Sequence, residues 1–307
     1  MACHGRNHCA VARVRGLEGA AMGTVIEFVN VTYNYPLTSR PAIKNLNLKI
    51  EEGKFYGVVG ANGSGKTTLC ALIRGFAPSF YHGELKGEVL VDGKPTESYG
   101  AGDLALRIGF AFQNPFNQIS GVKDTVFEEI AFGLENFGVP VCEIEDRVIN
   151  VMRLTKIESL AMKNPFEISG GQQQRLALAS VLALNPGIFV IDEPTSQLDP
   201  EGTESVFEII KMLKEQKKTV ILVEHKVDLL AEFADEIIVF QGGELIRFGD
   251  KQSILSDLSL QECGVQLPQY AVLGDRLMQN GLPLEYIPIT EAQALDVIGK
   301  AVAKGGN

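Results

Sequence analysis

The run Gly60-Ala61-Asn62-Gly63-Ser64-Gly65-Lys66-Thr67 constrains this chain more than any other stretch of it. A short apolar segment, Phe55 to Val59, leads into the run, and a helix-forming segment, Thr67 to Gly75, leaves it. That is the GxxxxGK[ST] spacing in its strand–loop–helix setting. Glycines let successive backbone N–H groups curl toward one point, and the helix N-terminus adds the positive end of its dipole. The loop is therefore shaped for phosphate, and a nucleoside triphosphate is the expected ligand. Lys66 reaches the β- and γ-oxygens, the Thr67 hydroxyl ligates Mg²⁺, and Thr68 completes the candidate set from Gly60 onward.

A loop of this kind needs a sheet behind it, and the patterning supplies one. Val25–Val31, Asn45–Ile50 and Glu88–Val91 alternate as strands, the last ending in an Asp92-Gly93 turn. Helical spacing then alternates with short apolar strands. The helices are expected over Asp124–Phe137 (Val126, Ile130 and Leu134 on one face), Ile144–Leu154, Gln172–Leu184 and Glu204–Lys214. The strands are expected over Ile188–Ile191, Thr219–Val223 and Glu236–Phe240. Such alternation predicts an α/β fold with a parallel sheet covered on both faces. After Gly249 the pattern changes to two short helices near Ala271–Asn280 and Thr290–Ala303. The second opens on a Thr290…Gln293 capping box and carries Leu295, Ile298 and Val302 on one stripe.

Two further features sit where chemistry is expected. The strand Ile188–Ile191 delivers Asp192 and Glu193 to its carboxyl end, where open α/β sheets bind ligands. Asp192 suits a metal, and Glu193 suits orienting and deprotonating an attacking water. Ser169-Gly170-Gly171-Gln172 opens a helix with a hydroxyl and bare amides, a second anion-binding feature. Standing alone, Ser169 would be an ordinary N-cap.

Taken together, Ile168-Ser169-Gly170-Gly171-Gln172 closely resembles the LSGGQ signature of ATP-binding cassette (ABC) ATPases, with Ile in place of Leu. The resemblance covers about Thr24 to Gly249 and orders the remaining motifs. It implies that Gln113 is the Q-loop glutamine at the Mg²⁺, that Ser196–Asp199 is the D-loop, with Asp199 reaching the other monomer, and that His225 contacts the γ-phosphate. Tyr35 matches the aromatic that stacks on adenine, with Tyr33 as the alternative. The implied fold is a P-loop NTPase core with an antiparallel β subdomain, a helical subdomain at about 114–175 and a C-terminal accessory unit at 251–307. The cassette itself spans 23–250. The implied cofactors are ATP and Mg²⁺, and the implied site is completed by a second ABC ATPase subunit, identical or different.

The run Phe112-Gln113-Asn114-Pro115-Phe116-Asn117-Gln118, with Thr125–Asn136 and Val223-Glu224-His225-Lys226, is similar to the energy-coupling-factor ATPases. Those proteins drive uptake of vitamins or of nickel and cobalt ions. The likeness implies a transmembrane coupling subunit docked near Gln113 to Gln118, a substrate-binding membrane subunit and a place on the cytoplasmic face of the membrane. The alternative is a soluble ABC ATPase regulating a nucleic-acid or translation process. The interval from Lys66 to Ser169 has no room for a long coiled coil. The formal net charge of −10 argues against nucleic acid as a partner.

No stretch of 18 apolar residues occurs in the chain. The five Cys are scattered and form no disulfide framework. Residues 1–22 read as a disordered leader, or as preceding a true start at Met22. Cys3, His4, His8 and Cys9 there fit no zinc spacing.

Overall fold

A computed structural model describes residues 23–196, 198 and 200–305, so the leader expected over 1–22 lies outside the described residues. In chain order the first elements are β1 (Thr24–Asn34), β2 (Ile43–Glu51), β3 (Phe55–Gly60), α1 (Lys66–Ile73), α2 (Phe76–Ser79), β4 (Glu84–Val91) and β5 (Lys94–Pro95). There follow α3 (Ala101–Arg107), β6 (Ile108–Ala111), α4 (Val126–Asn136), α5 (Val141–Leu154), α6 (Gly170–Ala183) and β7 (Ile188–Asp192). The last are α7 (Pro200–Glu215), β8 (Thr219–Val223), α8 (Val227–Phe233), β9 (Glu236–Gln241), β10 (Glu244–Asp250), α9 (Lys251–Leu255), α10 (Gln269–Gln279) and α11 (Glu291–Gly305).

Two sheets form, and their burial patterns explain why. In β2, Leu46, Leu48 and Ile50 are buried while Asn45, Asn47 and Lys49 are exposed, the alternation of a sheet with one wet face. This strand belongs to an antiparallel sheet of order β2-β1-β4-β5. By contrast β3, β7 and β8 are buried at every position, as strands covered on both faces must be. They lie in the second sheet, order β10-β9-β3-β8-β7-β6, parallel throughout except for β10.

Alternate side chains of the parallel strands feed two cores. Tyr56, Val58, Val190 and Val223 pack with α1 and the antiparallel sheet. Phe55, Val59, Phe189 and Ile191 pack with α4 to α8. The stripe Val126, Ile130, Leu134 on α4 is fully buried there, as its spacing predicts. The C-terminal segment is only partly separate. Leu255, Leu260, Val265 and Ala271 join the second core, while Leu284, Val297 and Ala301 form a small cluster of their own.

Three sequence readings are corrected. Ile108–Ala111 and Glu244–Asp250 are strands that the patterning did not separate from their surroundings. Of the expected Thr290…Gln293 capping box one half forms, with Thr290 Oγ1 accepting from Gln293 N–H at 3.3 Å, while the Gln293 side chain accepts from Ile289 N–H at 2.7 Å, one residue further back than the box requires. The stripe on α11 divides: Leu295 and Val302 are exposed, Ile298 is partly buried against the small C-terminal cluster, and Ala294, Val297 and Ala301 are the buried face.

Sheet order determines the site. The neighbouring strands β3, β8, β7 and β6 end at Gly60, Val223, Asp192 and Ala111 respectively. Parallel pairing therefore lines up the segments that follow them along one edge of the sheet.

Candidate active site

The loop between β3 and α1 owes its shape to three glycines with positive φ: Gly60 (151°), Gly63 (74°) and Gly65 (111°). At two of them there is also no room for a side chain. A Cβ on Gly60 would lie 2.2 Å from the Phe240 carbonyl oxygen, and one on Gly65 would lie 2.7 Å from the Ala42 carbonyl oxygen. The loop is braced from behind by Gly243 N–H donating to the Ser64 carbonyl at 2.9 Å. Lys66 is buried, and its ammonium curls back to donate to the carbonyls of Gly60 (2.9 Å) and Ala61 (3.1 Å). Desolvation lowers its pKa, with the Glu193 and Asp192 carboxylates opposing. A ligand phosphate would replace those two carbonyls with full negative charge.

Asp192 at the end of β7 is buried, and desolvation raises its pKa to about 6 against the opposing hydrogen bond from Thr67. Its Oδ1 has no hydrogen-bond partner. An orphaned carboxylate oxygen beside a hydroxyl and a phosphate loop fits Mg²⁺, which takes one or two protein ligands and completes its shell with phosphate and water oxygens. Among the described residues no group of three or more His, Cys, Asp and Glu could hold a metal by itself.

Glu193 takes φ +46°, a left-handed conformation rare for a residue with a side chain. The turn is held by Glu193 N–H donating to the Val223 carbonyl at 2.9 Å. Gln113 Nε2 donates to Glu193 Oε2 at 2.6 Å, and His225 Nε2 lies 2.9 Å from Glu193 Oε1. Each oxygen of this carboxylate thus has one fixed partner. With Tyr35, Lys66, Thr67 and Thr68, these three residues line a cavity of about 570 Å³.

Glu224 is a residue that sequence reasoning left without a role. Fully buried after β8, it accepts from Thr195 N–H (3.2 Å) and Thr195 Oγ1 (2.6 Å) with Oε1, and from His225 N–H (2.9 Å) and Lys226 N–H (3.2 Å) with Oε2. One side chain thereby ties the loop after Glu193 to the loop carrying His225. The signal was a carboxylate directly after an apolar strand, where four unpaired backbone and hydroxyl donors need an acceptor.

The remaining candidates divide. Tyr33 is completely buried and donates to the His82 carbonyl, so it offers no ring face to a ligand. Tyr35 lies at the cavity with its hydroxyl 3.2 Å from Thr68 Oγ1. Ser169 and Gln172 close a capping box over α6. Ser169 and Gly170 are exposed and Gly171 is half-buried, and the Ser169–Gln172 turn is not among the residues lining the phosphate-loop cavity. Gln197 and Asp199 lie outside the described residues.

A profile of the ABC transporter family matches residues 43–196, from the start of β2 through the acid pair to Ser196. The chain belongs to the ABC transporter family. It is an ATP-binding cassette with the P-loop NTPase fold, an ATPase of transporter type. The energy-coupling factor transporter ATP-binding protein EcfA1 of Ligilactobacillus salivarius is 38% identical over 276 residues, covering 89% of this chain and 95% of that protein. Among solved structures, cbiO1 of Clostridium perfringens, described as part of the ABC transporter complex cbiONQ, superposes with a TM-score of 0.66 at 30% identity. That match covers 82% of this cassette and 99% of the other. The ATP-binding cassette MJ0796, solved as a dimer with ADP and Pi, superposes with a TM-score of 0.65 at 30% identity, covering 73% of this chain and 98% of that one.

Within this cassette the fold therefore brings Gly60–Thr68, Asp192, Glu193, Gln113, His225 and Tyr35 to one end of the sheet. It keeps the Ser169 turn apart from them. No helix among the described residues is long and apolar enough to cross a membrane.

Proposed function

We propose that this cassette is the ATP-hydrolysing subunit of an energy-coupling-factor type transporter, powering uptake of a vitamin or a transition-metal ion through a membrane coupling subunit. The observation that carries the catalytic part is Glu193 held between Gln113 and His225 at the mouth of the phosphate-loop cavity. In this reading ATP lies on Gly60–Thr68 with its adenine against Tyr35. Lys66 neutralises the β- and γ-oxygens. Thr67 and Asp192 hold Mg²⁺, with Gln113 beside it, and the ion's contribution is charge neutralisation on the phosphates. Glu193 accepts a proton from the attacking water, while His225 fixes the second carboxylate oxygen and faces the γ-phosphate.

The separation of the Ser169 turn from the cavity supports a site completed across a dimer. Ser169 to Gln172 of a second ABC ATPase subunit would cap the γ-phosphate, and Asp199 would cross the same interface. The dimeric MJ0796 cassette is consistent with that arrangement. We read 23–250 as the cassette, 114–175 as its helical subdomain and 251–307 as the accessory unit. The outward stripe of Leu295 and Val302 suits that unit to subunit contact.

Similarity to EcfA1 and cbiO1 along most of the chain supports the coupling-factor assignment. So does a groove of about 320 Å³ that starts beside Gln113. It runs from Phe112 and Gln118 to Phe132 of α4 and Ser180 of α6, and is floored by Phe76 and Phe110. An apolar groove between the parallel sheet and the helices suits a helix end of a transmembrane subunit, and in this reading the cassette sits against the cytoplasmic face of the membrane. The test is purification of the tagged full chain from detergent-solubilised membranes. Co-purifying integral membrane subunits, lost in Ser180→Trp with ATP binding retained, are expected. A purely soluble chain whose ATPase is stimulated by nucleic acid or ribosomes would overturn the assignment.

A further inference from the structure

The tripeptide Asn-Pro-Phe occurs twice, at 114–116 and at 164–166. The two copies fold alike. Asn114 Oδ1 accepts from Phe116 N–H at 3.1 Å, and Asn164 Oδ1 accepts from Phe166 N–H at 2.9 Å. Asn-Pro turns of this kind present the third residue at a fixed angle. Here they present two rings to each other: Phe116 and Phe166 stack with centroids 6.4 Å apart and planes 17° from parallel. Both remain half exposed, at 56% and 50%. The core therefore does not require the pair, and each ring's fixed neighbour is the other. Phe166 also lies over Gly121, where a Cβ would meet the ring edge at 3.3 Å.

The neighbours of this stack in sequence give it meaning. Phe116 is three residues after Gln113, whose amide holds Glu193. Phe166 is three residues before Ser169, which caps α6. The helix grips both turns from the inside. Gln173 Nε2 donates to the Pro165 carbonyl at 3.1 Å, and Gln174 Nε2 donates to the Phe112 carbonyl at 3.4 Å. Both glutamines are buried. Gln118 Nε2 also donates to the Ala177 carbonyl of α6 at 2.9 Å. Hence the segment touching the catalytic carboxylate is joined to α6 by hydrogen bonds from Gln174 and Gln118, and to the turn that opens α6 by the exposed aromatic pair.

We propose that the Phe116–Phe166 stack is a positioning link between the two half-sites of one cassette: it ties the Gln113 segment, which serves the chain's own nucleotide, to the Ser169 turn, which serves the partner's. Nucleotide binding draws Gln113, and the stack carries that displacement to Phe166 and to the start of α6. The proposal rests on the site reading above, in which Gln113 responds to nucleotide and Ser169 faces a second cassette. Discrete packed contacts of this sort are how movement passes between sites.

The chain has no tryptophan, so Phe166→Trp places a single reporter in the stack. The measurement is its emission during MgATP titration of the full chain, with binding followed in parallel by calorimetry. The expected result is an emission shift saturating with nucleotide occupancy. In Phe166→Trp/Phe116→Ala the shift falls at least fivefold while the affinity for MgATP stays within twofold. Phe116→Leu, apolar but without a ring, behaves like Phe116→Ala, and Phe116→Tyr restores the shift. The mirror reporter Phe116→Trp, read with and without Phe166→Ala, gives the same pattern if the first variant folds poorly. A shift that survives removal of the partner ring, or no shift despite full occupancy, overturns the link and leaves the nucleotide site intact. A chain that binds no MgATP overturns the site reading, and the link with it.

Discussion

Gln113 Nε2 lies 2.6 Å from Glu193 Oε2, joining the loop after β6 to the acid at the end of β7. A charge-assisted hydrogen bond this short fixes the carboxylate's orientation. With Gln113→Ala, the Glu193 carboxylate keeps His225 as its side-chain partner among the described residues. Turnover is expected to fall about tenfold or more, with the apparent KM for ATP changed by less than about threefold, since positioning is lost and binding is not. Steady-state kinetics on the purified chain checks this.

Lys66 is buried with its ammonium donating to two carbonyls of its own loop. Those carbonyls hold it in place, and phosphate would replace them. Lys66→Ala removes the charge that, in the proposed site, neutralises the β- and γ-oxygens. ATP affinity is expected to fall by at least ~100-fold, about 2.7 kcal/mol, below detection in an ordinary titration. Unchanged affinity would remove Lys66 from the site.

Asp192 has its pKa raised to about 6 by desolvation, from an ordinary value of 3.8. The folded chain thus holds a proton between about pH 4 and pH 6 that the unfolded chain has released. Stability therefore falls as pH rises through that window and stays lower above it. Asp192→Asn removes the penalty, so the nucleotide-free variant is expected to be more stable than the parent at pH 7, by on the order of 2 kcal/mol. The difference should shrink below pH 4. The same variant loses Mg²⁺-dependent ATP binding. For the parent, that binding weakens as pH falls through about 6. Urea melts at pH 4 and 7, with titrations at matched pH, test both halves.

Glu224 accepts four hydrogen bonds from Thr195, His225 and Lys226 while fully buried. Glu224→Ala leaves those donors unpaired in the interior, at about 1–3 kcal/mol per stranded group before relaxation. A loss of about 3 kcal/mol in urea unfolding is expected, together with reduced turnover because the His225 loop is no longer tied to the segment after Glu193. Glu224→Gln retains the shape but turns one acceptor into a donor, and should fall between the two.

Legibility followed the chemistry. The phosphate loop was readable because positive-φ glycines, a lysine and a hydroxyl in strict spacing have few other uses. β3, β7 and β8 were readable as short apolar runs, since strands covered on both faces leave no polar position. Ile108–Ala111 was not, because its four residues follow α3 directly and carry no alternation. On α11 the larger apolar residues suggested one face, and the structure buries the smaller Ala294, Val297 and Ala301 instead. Residues whose role comes from contacts made across the fold left the weakest trace. Glu224 bridges two loops, and the Gln172-Gln173-Gln174 run has a cap and two carbonyl grips to make.

The most direct test of the account is single-turnover hydrolysis of radiolabelled MgATP by the parent chain and Glu193→Gln at equal nucleotide occupancy. The amide keeps the shape between Gln113 and His225 but cannot accept the water's proton. The account predicts a rate reduced by roughly 10²- to 10⁴-fold with ATP affinity within a few fold, and ATP-bound dimer accumulating in the variant. Undiminished hydrolysis by Glu193→Gln at full occupancy would contradict it.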